Sequence, residues 1–216
     1  MSRNSQEHRE IDNSASPDSG VGQIEELKRL KSEGRYQAES RGGLNSLQKL
    51  VAAGMLAALT TVATLLVQIP TPSRGFLNMG DVVVLVSAWV LGPVYGAAAA
   101  GIGSMLADLI AGYTMFAPGT LIIKGLVALI AAALFAALKF KGNGGRILAR
   151  LISGTVGELF MVFGYFIYEA VILGMGPGAL AGVPGNLGQG AFGLIAGFVV
   201  ITLLERHPYI RSRLPA

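Results

Sequence analysis

From Leu47 onward the chain alternates long apolar stretches with short interruptions of Gly, Pro or charge, whereas the segment before it is polar. Six apolar stretches follow one another. They run from about Leu47 to Ile69, Asp81 to Leu91, Val94 to Ala111, Pro118 to Leu138, Ile147 to Leu173 and Leu187 to Leu204. Pro70-Thr71-Pro72 ends the first, Gly92-Pro93 closes the second, and the basic segment Lys139–Arg146 closes the fourth. A helix crossing the hydrocarbon core of a bilayer needs about 20 apolar residues. The pattern predicts an all-α integral membrane protein, a compact bundle of six transmembrane helices. The second stretch has only 11 residues. It is too short to cross alone unless Phe76–Gly80 joins it, or the helix is tilted or bent.

Small residues recur at intervals of four: Gly92, Gly96 and Ala100; Ala99, Gly103 and Ala107; Gly193 and Gly197. This spacing lets helix backbones approach closely in lipid. It speaks for a tight bundle without specifying a function. No internal repeat is visible. Residues 1–23, rich in Ser, Asn and Asp, have almost nothing to bury and read as disordered; residues 24–33 have the charge pattern of a short helical segment. No apolar h-region of a signal peptide follows. The organisation expected is a polar tail over 1–45, a six-helix membrane domain over 46–206 and a short basic tail over 207–216.

Composition sharpens this picture. The 216 residues are 52% hydrophobic and 14% charged, with a mean hydropathy of +0.56. Sixteen of the 30 charged residues lie in the first 50. There is no cysteine, which removes disulfides, thiolate metal sites and cysteine nucleophiles. His8 and His207 both lie outside the apolar runs. No metal or cofactor is expected. The net charge of +4 has a topological explanation. With an even number of spans, fifteen Lys/Arg fall on the side of the two termini and one, Arg74, on the other. The positive-inside rule then places both termini in the cytoplasm of a multi-pass plasma-membrane protein.

Five ionisable residues sit within or beside the apolar runs: Asp81, Asp108, Lys124, Glu158 and Glu169. Each is costly against lipid and is expected to face the bundle interior or a wet cavity. On this topology none lies clearly in the inner half, which implies a cavity open to the outside. Glu158, Tyr165 and Glu169 are spaced i, i+7, i+11 and form one polar stripe on the fifth helix. The following segment, GMGPGALAGVPGN, has the composition of a lid, and Asn186 and Gln189 then add amide donors and acceptors. With Asn78, these residues form the candidate substrate-binding set: Asn78, Asp81, Asp108, Lys124, Glu158, Tyr165, Glu169, Asn186 and Gln189. Scaffold readings stand beside it. Lys124 and Glu158 form a buried ion pair, Asp81 caps the second helix, Asp108 tethers the loop at 112–117, Tyr113, Tyr165 and Tyr168 belong to an interfacial belt, and Trp89 packs or joins that belt.

Gly119-TLII-Lys124 lacks the ending of a phosphate-binding P-loop, so ATP hydrolysis is not expected of this chain. Gly101-Ile-Gly-Ser104 is not a nucleophile elbow and has no histidine partner. No enzyme chemistry is expected.

Several stretches over about residues 47–204 resemble one family, the substrate-binding S components of energy-coupling factor (ECF) vitamin transporters. They are Leu77-Asn-Met-Gly-Asp81, Leu91-Gly-Pro-Val-Tyr-Gly96, Gly101-Ile-Gly-Ser-Met-Leu-Ala-Asp108, Tyr113 through Gly125, Gly157 through Tyr165 and Pro184-Gly-Asn-Leu-Gly-Gln189. The resemblance implies six membrane helices, an outward-facing pocket for a vitamin or precursor under external loops, and docking on a membrane coupling subunit carried by two ATPases. Nucleic acid has no part in it. It also implies a docking surface of small residues on the first helix, where Ala53 and Ala57 match and Gly54 and Ala58 offer a competing face. It is closest to uncharacterised or pyrimidine- and pyridine-vitamin-type members rather than to the riboflavin or biotin types. Two other functions fit the same composition: an ion-coupled secondary transporter of a small polar metabolite, and a non-transporting membrane scaffold.

Overall fold

The computed structural model describes residues 23–31, 44–71, 76–140 and 142–208. Residues 23–31 form a helix whose residues are all exposed; they belong to a unit distinct from residues 44–216. The remainder of the expected polar tail, Arg74 and residues 209–216 lie outside the described residues.

The second unit is built of α1 (Ser46–Leu66), a two-stranded antiparallel ladder of β1 (Ile69–Pro70) and β2 (Phe76–Leu77), then α2 (Gly80–Leu91), α3 (Pro93–Ile110), α4 (Ala117–Ala137), α5 (Gly142–Ile167) and α6 (Val183–Leu204). Five helical segments are long and apolar enough to cross a membrane, and α2 is the shorter apolar sixth. The order of the six follows the apolar stretches of the sequence. Local chemistry sets their ends. Asn45 caps α1 by accepting from the Gln48 backbone N–H at 2.8 Å, and Gln48 Oε1 accepts from Asn45 N–H in return. Gly92, at φ 77, ends α2 in a conformation that disfavours side chains, and Pro93 opens α3 at once.

The short helix α2 does not recruit Phe76–Gly80 to lengthen itself. Phe76 and Leu77 pair instead with Pro70 and Ile69. At 12 residues α2 is about 18 Å long, well under the ~30 Å hydrocarbon core. Nearly all of it is buried, because α1, α3, α4 and α6 pack around it. A helix surrounded by protein has no lipid face to span. Around it the neighbours run α1–α3–α4–α5–α6. Trp89 belongs to this interior, 1% exposed, donating its Nε1–H to Ser153 Oγ at 3.2 Å. It is core and takes no part in an interfacial belt.

The first helix turns Ala53 inward. Ala53 is buried against Leu91 and Ala99, with Ala57 in the same cluster, and the Thr61 hydroxyl lies 2.8 Å from the Gly103 carbonyl of α3. The expected docking face on Ala53 and Ala57 therefore packs the bundle's own interior. The register one residue over is the free one. Gly54 and Ala58 are exposed, with nothing within 4 Å of where a Gly54 side chain would begin, among exposed Val51, Met55, Leu59 and Val62.

Candidate functional site

Helix alternation brings the β1–β2 ladder, the ends of α3 and α5 and the starts of α2, α4 and α6 to one end of the bundle. Here a cavity of about 30 Å³ is lined by Asn78, Asp108, Tyr165, Glu169, Asn186 and Gln189, together with Thr71, Phe76 and Phe116. Six of the nine residues selected from the sequence thus meet in one place, drawn from four separate parts of the chain. Asp108 comes from the last turns of α3. Tyr165 and Glu169 come from the end of α5, where residues Tyr168–Ile172 wind as a π-helical turn. Such turns are rare and concentrate at functional sites. Asn186 and Gln189 lie in the first two turns of α6, which begins at Val183 and so earlier than its apolar run.

The other three, Asp81, Lys124 and Glu158, do not line the cavity. Lys124 is paired with Asp81, not with Glu158, and the two side chains are 3% and 1% exposed. The pair is tied upward to the cavity wall. Gln189 Nε2 donates to Asp81 Oδ2 at 2.7 Å, and Gln189 Oε1 accepts from the Asn78 backbone N–H at 2.8 Å. One hydrogen-bonded chain thus runs from α4 through α2 and α6 to the segment after β2. Gly193 makes room for it: a Cβ there would lie 2.6 Å from the Cβ of Asp81. Asp81 does not cap α2 either. The cap position is Met79, and the Asn78 side chain accepts from Gly80 N–H at 2.8 Å.

Glu158 shares a helix face with Tyr165 but lies seven residues, or about 10 Å, further along the axis. It is 5% exposed, and neither carboxyl oxygen has a hydrogen-bond partner among the described residues. A helical wheel projects depth away, so the stripe read from the sequence joined residues at different levels. Asp108 does not tether its loop by the side chain; the bond to Tyr113 N–H comes from the Asp108 backbone carbonyl, at 2.8 Å. The glycine-rich segment expected as a lid, residues 174–186, winds as a 3-10 helix at Gly176–Gly182 and then enters α6; of its residues, Asn186 lines the cavity.

Sequence reasoning missed the aromatic wall. Phe76, Tyr113, Phe116 and Tyr168 form a continuous run of ring contacts with centroids 4.5, 6.4 and 6.3 Å apart. The Tyr168 hydroxyl donates to the Met115 carbonyl at 2.7 Å, and Tyr165 shares a 3.0 Å hydrogen bond with Thr120 while its ring lies 5.5 Å from Lys124 Nζ. These tyrosines lie at the cavity end of the bundle. Their clustering depends on which helices become neighbours, and no local spacing announces it. The arrangement offers amides, carboxyls and hydroxyls beside flat apolar rings, which suits a small planar molecule with a polar edge.

Comparison with known proteins bears on what such a site belongs to. A family model described as the ECF-type riboflavin transporter, S component, matches residues 44–206. A protein of Pyrococcus woesei, described as an uncharacterized protein in a gap 3' region, is 42% identical over 139 residues, 63% of this chain and 88% of that one. A solved structure titled as the structure and mechanism of the S component of a bacterial ECF transporter aligns with a TM-score of 0.56 at 18% identity. The alignment covers 75% of this chain and 98% of that one. At that identity the likeness establishes the fold. The matching family model is the riboflavin one, which corrects the expectation that the chain stands nearer to pyrimidine- and pyridine-vitamin members. This multi-pass membrane protein belongs to the ECF-type riboflavin transporter S-component family.

Proposed function

We propose that the chain captures riboflavin, or a closely similar planar heterocycle, outside the cell and delivers it inward through a separate energy-coupling module. That module comprises a membrane coupling subunit and two ATPases. The observation that carries this reading is the convergence of seven polar side chains and the rings of Phe76 and Phe116 on one cavity. A flavin presents a flat ring system for stacking, an imide edge for amide and carboxyl partners, and a polyol chain. The domain division at about residue 45, with the membrane domain binding substrate, belongs to the same proposal.

The cavity of about 30 Å³ has room for about two waters, while ligand pockets run to ~300–1,000 Å³. Binding therefore requires the walls to part. The β1–β2 ladder and the start of α6 are the parts to move; the hydrogen bond from Asn78 N–H to Gln189 Oε1 joins them at the cavity. Opening exposes Gln189 and brings the bare oxygens of Glu158 within reach of ligand donors. The Asp81–Lys124 pair beneath holds the floor while the walls move.

Titration of riboflavin into the detergent-solubilised protein, followed by quenching of flavin fluorescence, tests this. Saturable binding is expected. Asn186→Ala and Phe76→Leu should each weaken it by roughly three- to tenfold, the value of about one neutral hydrogen bond or ring contact, at unchanged thermal stability. Unaltered affinity in both variants contradicts the site, and no saturable binding contradicts the ligand.

A further inference from the structure

At the end of the bundle opposite the ligand site, a second cavity of about 390 Å³ opens between the start of α5 and the end of α6. Arg146, Arg150 and Arg206 line it together with a single carboxylate, Glu205. Glu205 binds two of the three. Its Oε1 accepts from Nη2 of Arg146 and Nη2 of Arg150, both at 2.7 Å, and its Oε2 accepts from Nη1 of Arg150 at 2.6 Å. Arg150 is 2% exposed, and its guanidinium lies 5.3 Å from the centroid of the Phe135 ring. The clasp locks two guanidinium planes in place with one negative charge against three positive. Nε of Arg146 and Nε of Arg150 are buried without a hydrogen-bond partner, and Arg206 has no ion-pair partner, among the described residues. Ile147 and Pro208 give the same cavity an apolar side.

We propose that this cavity binds a phosphate group, carried by an anionic phospholipid headgroup or free in solution. Fixed guanidinium forks match phosphate oxygens in geometry and charge. The first turn of α5 adds N–H groups without intrahelical acceptors and the positive dipole end of a long helix. The cavity sits where two membrane-crossing helices end, the depth at which basic pockets between helices take anionic headgroups. Among the described lining residues one carboxylate faces three guanidinium groups, and a phosphate supplies further negative charge. A bound phosphate ties the start of α5 to the end of α6, far from the vitamin site.

The full chain, purified in detergent and stripped of lipid, is offered phosphatidylglycerol or phosphatidylcholine and examined by native mass spectrometry. A parallel arm follows melting in inorganic phosphate against chloride at equal ionic strength. The wild type should retain phosphatidylglycerol over phosphatidylcholine by about tenfold, as a charge-assisted contact predicts. Arg206→Gln and Arg146→Gln should each erode that preference. Arg206→Gln breaks no ion pair and should melt like the wild type without lipid, so its effect is on binding. Stabilisation by inorganic phosphate that Arg206→Gln abolishes assigns the site to the free anion instead, within the same chemistry. Equal retention of both lipids with no effect of phosphate overturns the proposal. So does a phosphatidylglycerol preference that survives both substitutions.

Discussion

Lys124 and Asp81 hold each other where neither has water, and each is the other's reason to be there. A charge buried alone in such a place is far costlier than a charge in a pair. Lys124→Met should lower stability by about 3–5 kcal/mol, the cost of leaving the partner carboxylate unpaired. Adding Asp81→Asn to it should restore much of that loss. Additive losses in the double variant, measured by thermal unfolding in detergent, contradict the pair. Both residues stood out in the sequence as ionisable groups in apolar runs. Their partnership did not, since they lie 43 positions apart on helices that meet only in the folded bundle. The Arg150–Glu205 clasp was hidden for a similar reason. In the sequence both residues sit at the borders of apolar runs and read as topological charge.

At the scale of elements, the apolar runs predicted the helices because composition alone decides which segments enter a bilayer. Their boundaries moved where capping and turn chemistry outweighed hydropathy. The run through Ile69 stops as a helix at Leu66 and continues into the β1–β2 ladder, and α6 starts at Val183, ahead of its apolar run. The orientation of α1 was not legible, because two small-residue registers one position apart compete and only packing against α3 selects between them. With Ala53 turned inward, we propose the bare Gly54 and Ala58 face, flanked by exposed Val51, Met55 and Val62, as the surface that meets the coupling subunit. Ala58→Trp should prevent assembly with that subunit and abolish uptake while leaving riboflavin affinity unchanged, because a bulky side chain blocks close helix approach. Ala53→Trp should instead lower the melting temperature of the isolated chain by overpacking. Normal assembly of Ala58→Trp, assayed by co-purification, would place the docking surface elsewhere.

The whole molecule is asymmetric in charge along the bundle. Lys139, Arg146, Arg150 and Arg206 gather at one end, and the cavity with its carboxyls and rings occupies the other. The Lys/Arg bias predicts that the basic end and both termini are cytoplasmic. Cysteines placed at Ser32 and Ser212 should resist a membrane-impermeant thiol reagent in intact cells, and one at Ser73 should react; the reverse labelling would invert the transport direction proposed for the site. The all-helical membrane class and most of the cavity-lining polar residues were readable from the chain, since a buried polar group in an apolar run has few uses. Depth, pairing and the aromatic wall were not, because they arise from the third dimension.

On the proposed function, the cavity at the β1–β2 end holds a flavin-like vitamin. Mass spectrometry of small molecules released from protein purified in mild detergent from riboflavin-containing medium tests it most directly. Riboflavin, or a heterocycle of its class, should be recovered at close to one per chain from the wild type and be strongly depleted from a variant combining Phe76→Leu with Asn186→Ala. Recovery of no small molecule, or equal recovery from that variant, would contradict the account.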